Sequence, residues 1–234
     1  MKKRNESKIT MAALMMMAAM AMTSCASSKK INGDSNANKD SEMGKNEEDL
    51  DNSYLVHSDI QQNIVKKNNA FALRLFNKVT DMESKVISPM SVSYLMGMLA
   101  NGADGITQQE ILKAIGCEGV SVNDLNELYK AMLLNANHQD KQTTVNIANY
   151  IAVNKNFKLD KNFSQQVSDN YQAGIESLDF TSSKSTDRIN GWCKEKTNGM
   201  IPRIIDQVSA DAVSYLMNAI YFKGTWQNKF NAKD

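Results

Sequence analysis

The segment from Ala212 to Phe222 constrains the fold of this chain more than any other. Its side chains are apolar except at Ser214 and Asn218. An apolar run of this length predicts a strand that is covered on both faces, and such a strand needs hydrogen-bonded neighbours at its edges and layers above and below. Only residues 223–234 follow in the sequence, so we expect a fold that is incomplete on its C-terminal side.

Composition excludes several classes of protein. The 234 residues are 42% hydrophobic and carry 27 basic against 26 acidic side chains, which gives a net charge of +1. This balance is neither that of a disordered acidic tail nor that of a basic protein that coats nucleic acid, so we predict no nucleic-acid partner. Three cysteines are too few for a disulfide scaffold. We therefore expect one compact domain.

The N-terminus has the pattern of an export signal. Basic side chains within residues 2–8 precede an apolar stretch, residues 9–22, which is too short to span a bilayer. Small residues then lead to Cys25, and this junction resembles a bacterial lipobox. We predict a lipoprotein signal peptide over residues 1–24, a lipid on Cys25, and a location in the bacterial cell envelope, either periplasmic or at the surface. An ordinary cleaved secretory signal is the alternative.

A polar segment separates this signal from the rest of the chain. Residues 25–52 are nearly free of large apolar side chains and cannot bury enough surface to fold, so we predict a disordered tether. The remaining residues, 53–234, form the predicted folded domain, which is long enough for a substantial core.

Four amphipathic helices are predicted before the first long strand. The first has apolar residues at steps of four and seven: Ile60, Ile64, Phe71, Leu75 and Val79. Ser88-Pro89 predicts the N-terminus of a second, buried helix, after a short strand at Val86-Ile87. Thr107 and Glu110 have the spacing of a capping box for the third helix.

The second half of the domain alternates strands and helices. Residues 144–153 predict an interior strand with apolar side chains on both faces, and residues 175–180 predict another strand. A short helix lies between them. A further helix is predicted over residues 185–197, and Asn198-Gly199 ends it.

Cys117 and Cys193 both fall in the predicted domain. Outside the cytoplasm a disulfide between them could persist. Cys117 follows Gly116 at a predicted helix end and Cys193 lies within a helix. This placement favours two separate, partly buried thiols, and the sequence leaves the pairing open.

Short motifs in a fixed order connect the chain to a known family. Each is weak alone, but together they cover residues 60–230 with the family's gaps, and the chain resembles the first part of a serpin, the serine protease inhibitor fold. The motifs are Asn69-Ala70-Phe71-Ala72, Ile87-Ser88-Pro89-Met90-Ser91-Val92-Ser93, Asn101-Gly102-Ala103-Asp104-Gly105, Ala148-Asn149-Tyr150, Leu178-Asp179-Phe180, Ile189-Asn190-Gly191-Trp192, Thr197-Asn198-Gly199 and the block from Met217 to Trp226.

This resemblance implies an α+β serpin fold, with N-terminal helices and a central mixed or antiparallel β-sheet, truncated at its C-terminal side. Residues 144–153, 175–178 and 213–222 would belong to the sheet, and the helix at 185–197 would lie across its face. The family's reactive loop is cleaved by a serine or cysteine protease and inserts into the sheet as a new strand, beside residues 213–222. Since that loop has no counterpart in this sequence, we read the chain as a fragment of such an inhibitor.

The resemblance also assigns roles to polar residues in the apolar segments. Ser88, Ser91 and Asn218 match the shutter, a hydrogen-bonded cluster under the sheet that reorganises when the sheet opens. The residues alone are explained as well by two helix caps and a satisfied core amide.

Further matches lie at the end of the long strand and on the crossing helix. Trp226 matches the breach, where loop insertion begins, and Lys223 and Gly224 form the turn before it. An aromatic plug in the core is the alternative for the tryptophan. Asn190 and Thr197 match positions on the helix that crosses the sheet, and the usual lysine of the family is replaced by methionine at position 200.

Enzyme motifs are absent from the sequence. It contains no nucleophile elbow, no zinc-protease motif, no C-x-x-C pair and no phosphate-binding loop, and His57 and His138 fall in polar segments. We predict no catalytic residues, no metal and no cofactor. The predicted partners are a target protease and, through Cys25, a membrane, with the complete protein a monomer. A non-inhibitory serpin-like lipoprotein and a nonfunctional truncated remnant are the alternatives.

Overall fold

A computed structural model describes residues 58–79, 86–136 and 143–226 of the chain. The predicted signal peptide, tether and lipid attachment site, and both histidines, lie outside these ranges. Six helices and three strands occur within them: α1 (Asp59–Val79), α2 (Pro89–Asn101), α3 (Gly105–Ala114), α4 (Val122–Ala136), β1 (Thr144–Asn154), α5 (Lys161–Tyr171), β2 (Gly174–Leu178), α6 (Ser183–Lys196) and β3 (Ser214–Lys223).

The three strands form one mixed sheet in the order β2-β1-β3. β1 is parallel to β2, with Tyr150 opposite Gly174, and the crossover between them contains α5. β1 is antiparallel to β3 along the whole of β3, with Asn149 opposite Asn218. The predicted membership of all three segments in a central sheet is confirmed.

The two faces of the sheet are buried in two different cores. Ile147, Ile151 and Val153 of β1 pack into the larger core, to which α1–α5 contribute. Tyr150 and Ala152 point the other way, into a smaller core under α6. Because successive side chains of a strand point to opposite faces, the alternation read from the sequence predicts both layers correctly. α6 packs on β1 and β3, as expected for the helix that crosses the sheet.

Local signals at helix ends are partly confirmed. The hydroxyl of Ser88 accepts a hydrogen bond from the backbone N–H of Ser91 and caps α2, and proline occupies the first helical position. The capping box at Thr107 is wrong, because α3 begins at Gly105. The carboxylate of Asp104 accepts the N–H of Gly105 at 2.7 Å. It thereby caps the helix three residues before Thr107, by satisfying one of the free N–H groups of the first turn.

Two further expectations are corrected. Val86-Ile87 does not form a strand, since no strand among the described residues pairs with it, although Ile87 is buried. The apolar stripe of α1 is buried at Ile64 and Phe71, but Ile60 is 55% exposed. Helices α2 and α4 pack on α1, and this packing covers its middle rather than its first turn. None of the described helices is both long enough and apolar enough to cross a membrane.

A cluster of three tyrosines fixes the distance between α2, α4 and α5. The rings of Tyr94, Tyr129 and Tyr171 are fully buried, with centroids 5.0–6.3 Å apart. Gly97 of α2 lies against them: a Cβ there would be 2.5 Å from the Tyr171 hydroxyl and 2.9 Å from the Tyr129 ring. This position therefore requires the absence of a side chain.

We expect Gly97→Ala to lower the free energy of unfolding by about 1–3 kcal/mol, because the extra methyl group overpacks the tyrosine cluster. Gly191→Ala is the matched control, since it is also helical and a Cβ there meets nothing within 4 Å. The control should gain roughly 0.5–1 kcal/mol through the lower backbone entropy of alanine. Urea unfolding of both variants checks this, and equal shifts would contradict it.

Candidate functional site

The predicted shutter serines lie together at the N-terminus of α2. The Oγ atoms of Ser88 and Ser91 are 2.9 Å apart, and Ser88 is buried. Their spacing of three places them on one helical face, as predicted. α2 packs against β3, the strand that carries Asn218.

Asn218 lies at the middle of β3 and bonds across the sheet rather than to the serines. Its Nδ2 donates to Oδ1 of Asn149 at 2.8 Å. Its Oδ1 is buried and has no hydrogen-bond partner in the described part of the chain. The described hydrogen bonds thus join the two serines to each other and Asn218 to β1.

The long strand is covered on both faces, by α2 and by α6, as predicted, but it is not fully buried. Most side chains of β3 are half-buried, including Asn218. β3 is an edge strand of the described sheet, because β1 pairs with one of its edges and no described strand pairs with the other. Side chains beside an open edge lack neighbours on that side, whereas the central strand β1 is buried over residues 149–154.

Asn149 is the site residue that the sequence analysis did not single out. It is 3% exposed, and besides accepting from Asn218 it donates from Nδ2 to the Tyr171 carbonyl oxygen at 2.7 Å. It therefore links β1 and β3 to the C-terminus of α5. A signal for it was present, because it is the one amide in a row of apolar side chains that face the larger core at alternate positions, Val145 to Val153.

The polar connection continues into the helices through side-chain amides. The Tyr171 hydroxyl donates to Oδ1 of Asn126 at 2.7 Å. Asn126 and Asn101 exchange two hydrogen bonds of 2.8 and 2.9 Å, and Asn101 also donates to the carbonyl oxygen of Gly97. A chain of neutral polar groups thus extends from β3 to α2 and α4. Each member finds a partner inside the protein, which offsets the cost of its burial.

Ionisable groups in the two cores stay uncharged. Burial raises the pKa of Tyr94 and of Tyr129 far above the ordinary range of a phenol. Both cysteines of the domain are free and buried, which confirms the expectation of two separate thiols. Burial raises the pKa of Cys193 to about 11, and it also raises the pKa of Cys117, against the smaller opposing effect of Lys67. At neutral pH neither is a thiolate, so neither has the form of a cysteine nucleophile.

The residues assigned to the breach follow the end of β3. Lys223 is the last residue of the strand, and Gly224 follows it with an exposed backbone. A Cβ on Gly224 would lie 3.0 Å from the Phe222 ring, so a larger residue would displace that ring. Trp226 is 69% exposed and is therefore not a core plug in the described structure.

Asn190 and Thr197 bond to the segment between α6 and β3, residues 198–213, which we call the return segment. Asn190 accepts the backbone N–H groups of Ile204 and Ile205 at 2.8 and 3.1 Å and donates back to the Ile205 carbonyl oxygen. Thr197 donates to the Cys193 carbonyl oxygen and accepts the N–H of Ile201. Both residues belong to the crossing helix or its C-cap, as predicted. Their side chains bond to the return segment and, for Thr197, to α6 itself, and not to the strands.

Within the described ranges, the His, Cys, Asp and Glu side chains form no group of three that could hold a metal ion. The site instead consists of amides on β1 and β3, two serines at the N-terminus of α2, and a strand edge with no described partner. Comparison with known proteins identifies the family to which this sheet belongs.

A model of the family described as Serpin (serine protease inhibitor) matches residues 66–234, most of the chain. The chain belongs to the serpin family. Serine protease inhibitor 42Dd of Drosophila melanogaster is 31% identical over 161 residues, which cover 68% of this chain and 43% of that protein. Iripin-1 of Ixodes ricinus is 33% identical over 171 residues, which cover 70% of this chain and 44% of the relative. This serpin thus spans less than half the length of the curated relatives it matches.

Solved structures share its fold. The thermophilic serpin tengpin in its latent state is 32% identical, with a TM-score of 0.69 over 76% of this chain and 48% of tengpin. Tengpin in its native state has a TM-score of 0.67 at the same identity, over 76% and 46%. The predicted α+β serpin fold is confirmed. The described part of this serpin is similar to tengpin in both states.

In this serpin we expect Asn149→Ala to lower the free energy of unfolding by about 1–3 kcal/mol, because it leaves Asn218 Nδ2 and the Tyr171 carbonyl without partners. The matched control is Asn170→Ala, whose side chain bonds only to Gln166 one turn away on α5. The control should stay within about 0.5 kcal/mol of the parent. Urea unfolding measures both, and a control as unstable as Asn149→Ala would contradict the bridging role.

Proposed function

We propose that the full-length form of this serpin inhibits serine or cysteine endopeptidases by reactive-loop cleavage and insertion. The protease cleaves an exposed loop, and the cleaved loop enters the central sheet as an additional strand. Membership of a family described as serine protease inhibitors supports this proposal. The proposal assigns no catalytic residue to this chain.

The observation that carries the proposal is the geometry of β3. The strand is ten residues long, and β1 pairs with one of its edges from Ser214 to Lys223. Its other edge has no strand partner among the described residues, and we propose that this edge is where the cleaved loop pairs. An extended peptide adds to such an edge through main-chain hydrogen bonds, and serpin loop insertion is itself an established example of this mode.

The polar groups around β3 support a shutter in this position. Ser88, Ser91 and Asn218 are assigned to it on the resemblance, and we add Asn149, which holds Asn218 at the centre of the sheet. Asn218 Oδ1 is buried and has no hydrogen-bond partner among the described residues, so a donor placed beside it would lower the cost of its burial. A strand beside β3 can bring that donor when it arrives and remove it when the sheet opens.

The other assignments belong to the same proposal. Trp226, Lys223 and Gly224 mark the breach, where the inserting strand first meets the sheet. Asn190 and Thr197 keep the return segment on α6 while the sheet rearranges. These roles are independent of which protease is the target.

We expect the full-length protein to form an SDS-resistant adduct with at least one member of a panel of serine and cysteine proteases. Trapping after cleavage leaves an acyl bond between the two proteins, because the inserted strand moves the protease before water can hydrolyse it. The adduct is read as a higher band on a denaturing gel. The same protease with its nucleophile replaced by alanine is the control and should give no band.

Cleavage of the loop without any adduct, across the whole panel, would contradict the inhibitory function and favour a non-inhibitory serpin. A chain that remains partly unfolded and aggregates would instead favour the nonfunctional remnant.

We also propose that the protein is a lipoprotein of the bacterial cell envelope, attached through Cys25. The basic head, the short apolar stretch and the small residues before this cysteine support the assignment. The proposal is separate from the inhibitory function, since either can hold without the other.

We expect Cys25→Ala to move the protein from the membrane fraction to the soluble fraction and to abolish labelling by a radioactive fatty acid, because the acyl chains have lost their attachment atom. Ser27→Ala, two residues further along the tether, is the control and should remain membrane-bound and labelled. Continued fatty-acid labelling of Cys25→Ala would contradict lipidation at this residue.

A further inference from the structure

An aromatic stack joins the middle of β1 to α6. Tyr150 of β1 and Trp192 of α6 are both buried, with ring centroids 5.0 Å apart and planes inclined by only 20°. Tyr150 is opposite Met217 of β3, next to the Asn149–Asn218 pair. Since residues 149 and 150 point to opposite faces, β1 is anchored on both sides at the same point along the sheet.

A charged contact lies beside this stack. The Arg188 guanidinium of α6 forms an ion pair with the Glu176 carboxylate of β2: Nη2 lies 2.8 Å from Oε2, and Nε donates a hydrogen bond to Oε1 at 3.2 Å. The same carboxylate accepts the Tyr150 hydroxyl at 2.8 Å, and the guanidinium lies 5.7 Å from the centre of the Tyr150 ring. Arg188, Trp192, Tyr150 and Glu176, which we call the α6 clamp, therefore connect α6 to both β1 and β2.

The clamp differs from an ordinary surface ion pair in what it joins. Arg188 and Glu176 are 45% and 35% exposed, and a pair at that exposure contributes little to global stability. The two-pronged geometry, however, fixes direction as well as distance. A second polar contact joins α6 to β1 near the C-terminus of the helix, where Asn146 Nδ2 donates to the Lys196 carbonyl oxygen at 2.8 Å.

The position of the clamp determines which elements of the sheet it can hold together. The clamp joins α6 to β1 and β2. α6 also packs on β3, but through apolar side chains of the smaller core and not through the clamp. The edge of β3 that faces away from β1 would receive an added strand. When the sheet widens at that edge, α6 either stays with β1 and β2 or detaches from them. The clamp holds it on β1 and β2.

We propose that Arg188 is a positioning residue for strand insertion: through Glu176 and Tyr150 it holds α6 on the sheet and limits how readily α6 leaves that face. The effect of Arg188 on strand insertion rests on the inhibitory mechanism proposed above. Its effect on the attachment of α6 to the sheet can be tested without a protease. Loss of the guanidinium should increase local opening of α6 while leaving global unfolding nearly unchanged, because these are different equilibria.

The test is amide hydrogen exchange of the full-length protein, followed by mass spectrometry of peptides from α6 and β1. We expect Arg188→Gln to raise the exchange rate of α6 several-fold, and Arg188→Lys to restore part of the protection, since lysine keeps the charge but loses the fork. The midpoint of urea unfolding should hardly move. Arg188→Gln combined with Glu176→Gln should exchange no faster than the single variant, because both act through one contact.

Lys155→Gln is the matched control. Lys155 and Asp179 form an ion pair of 2.7 Å with similar exposure at the end of the same two strands, but neither residue belongs to α6. This variant should leave α6 exchange at the parental rate. If Arg188→Gln exchanges no faster than Lys155→Gln, or if the two clamp substitutions add fully, the proposal is overturned.

A second measurement separates this inference from the proposed function. In a full-length protein that forms protease adducts, Arg188→Gln should speed spontaneous conversion to an inactive, loop-inserted form several-fold. An unchanged conversion rate would overturn the positioning role and leave the inhibitory function standing. If the parent forms no adduct, the inhibitory function fails, and the exchange comparison with Lys155→Gln still decides whether the clamp holds α6.

Discussion

The pairing of β1 with a strand on each of its edges is the constraint on which the rest of this structure depends. β3 pairs with β1 from Thr144 to Val153, and β2 pairs with the other edge of β1 from Tyr150 to Asn154. Where both edges are paired, β1 is fully buried on its two faces. The larger helical core forms against one face and α6 against the other. The layered architecture follows from this one strand.

The same strand carries the polar groups that distinguish this interior from a purely hydrophobic one. Asn149 and Tyr150 are adjacent in sequence and opposite in direction, and each takes part in a hydrogen-bonded cluster on its own face. A buried amide must find its partners in a defined geometry, so such groups fix register more sharply than apolar packing does. An edge strand held through an amide pair can also be released when the partners exchange. This agrees with the opening of the sheet that we propose for the full-length protein.

β3 is the edge strand of the described sheet, and most of its side chains are half-buried. Oδ1 of Asn218, at the middle of this strand, has no hydrogen-bond partner among the described residues, and Trp226, which follows the strand, is exposed. The edge of β3 is therefore the part of the described sheet with the fewest neighbours.

The sequence by itself determined the elements, their order and the family. The spacing of apolar residues distinguished helices from strands, because a helix buried on one face and a strand buried on both faces require different spacings. The Ser88 cap was predictable because it is a contact between residues three positions apart. The prediction failed at two places. α3 begins at Gly105, because Asp104 caps it before Thr107 can, and Val86-Ile87 is not a strand, because no described strand pairs with it. Only the tertiary structure decided that Asn149 bridges to Asn218 and that Arg188 reaches Glu176 across the sheet. Those pairs join residues 69 and 12 positions apart, and no pattern along one chain specifies which distant side chains the register will bring within hydrogen-bonding distance.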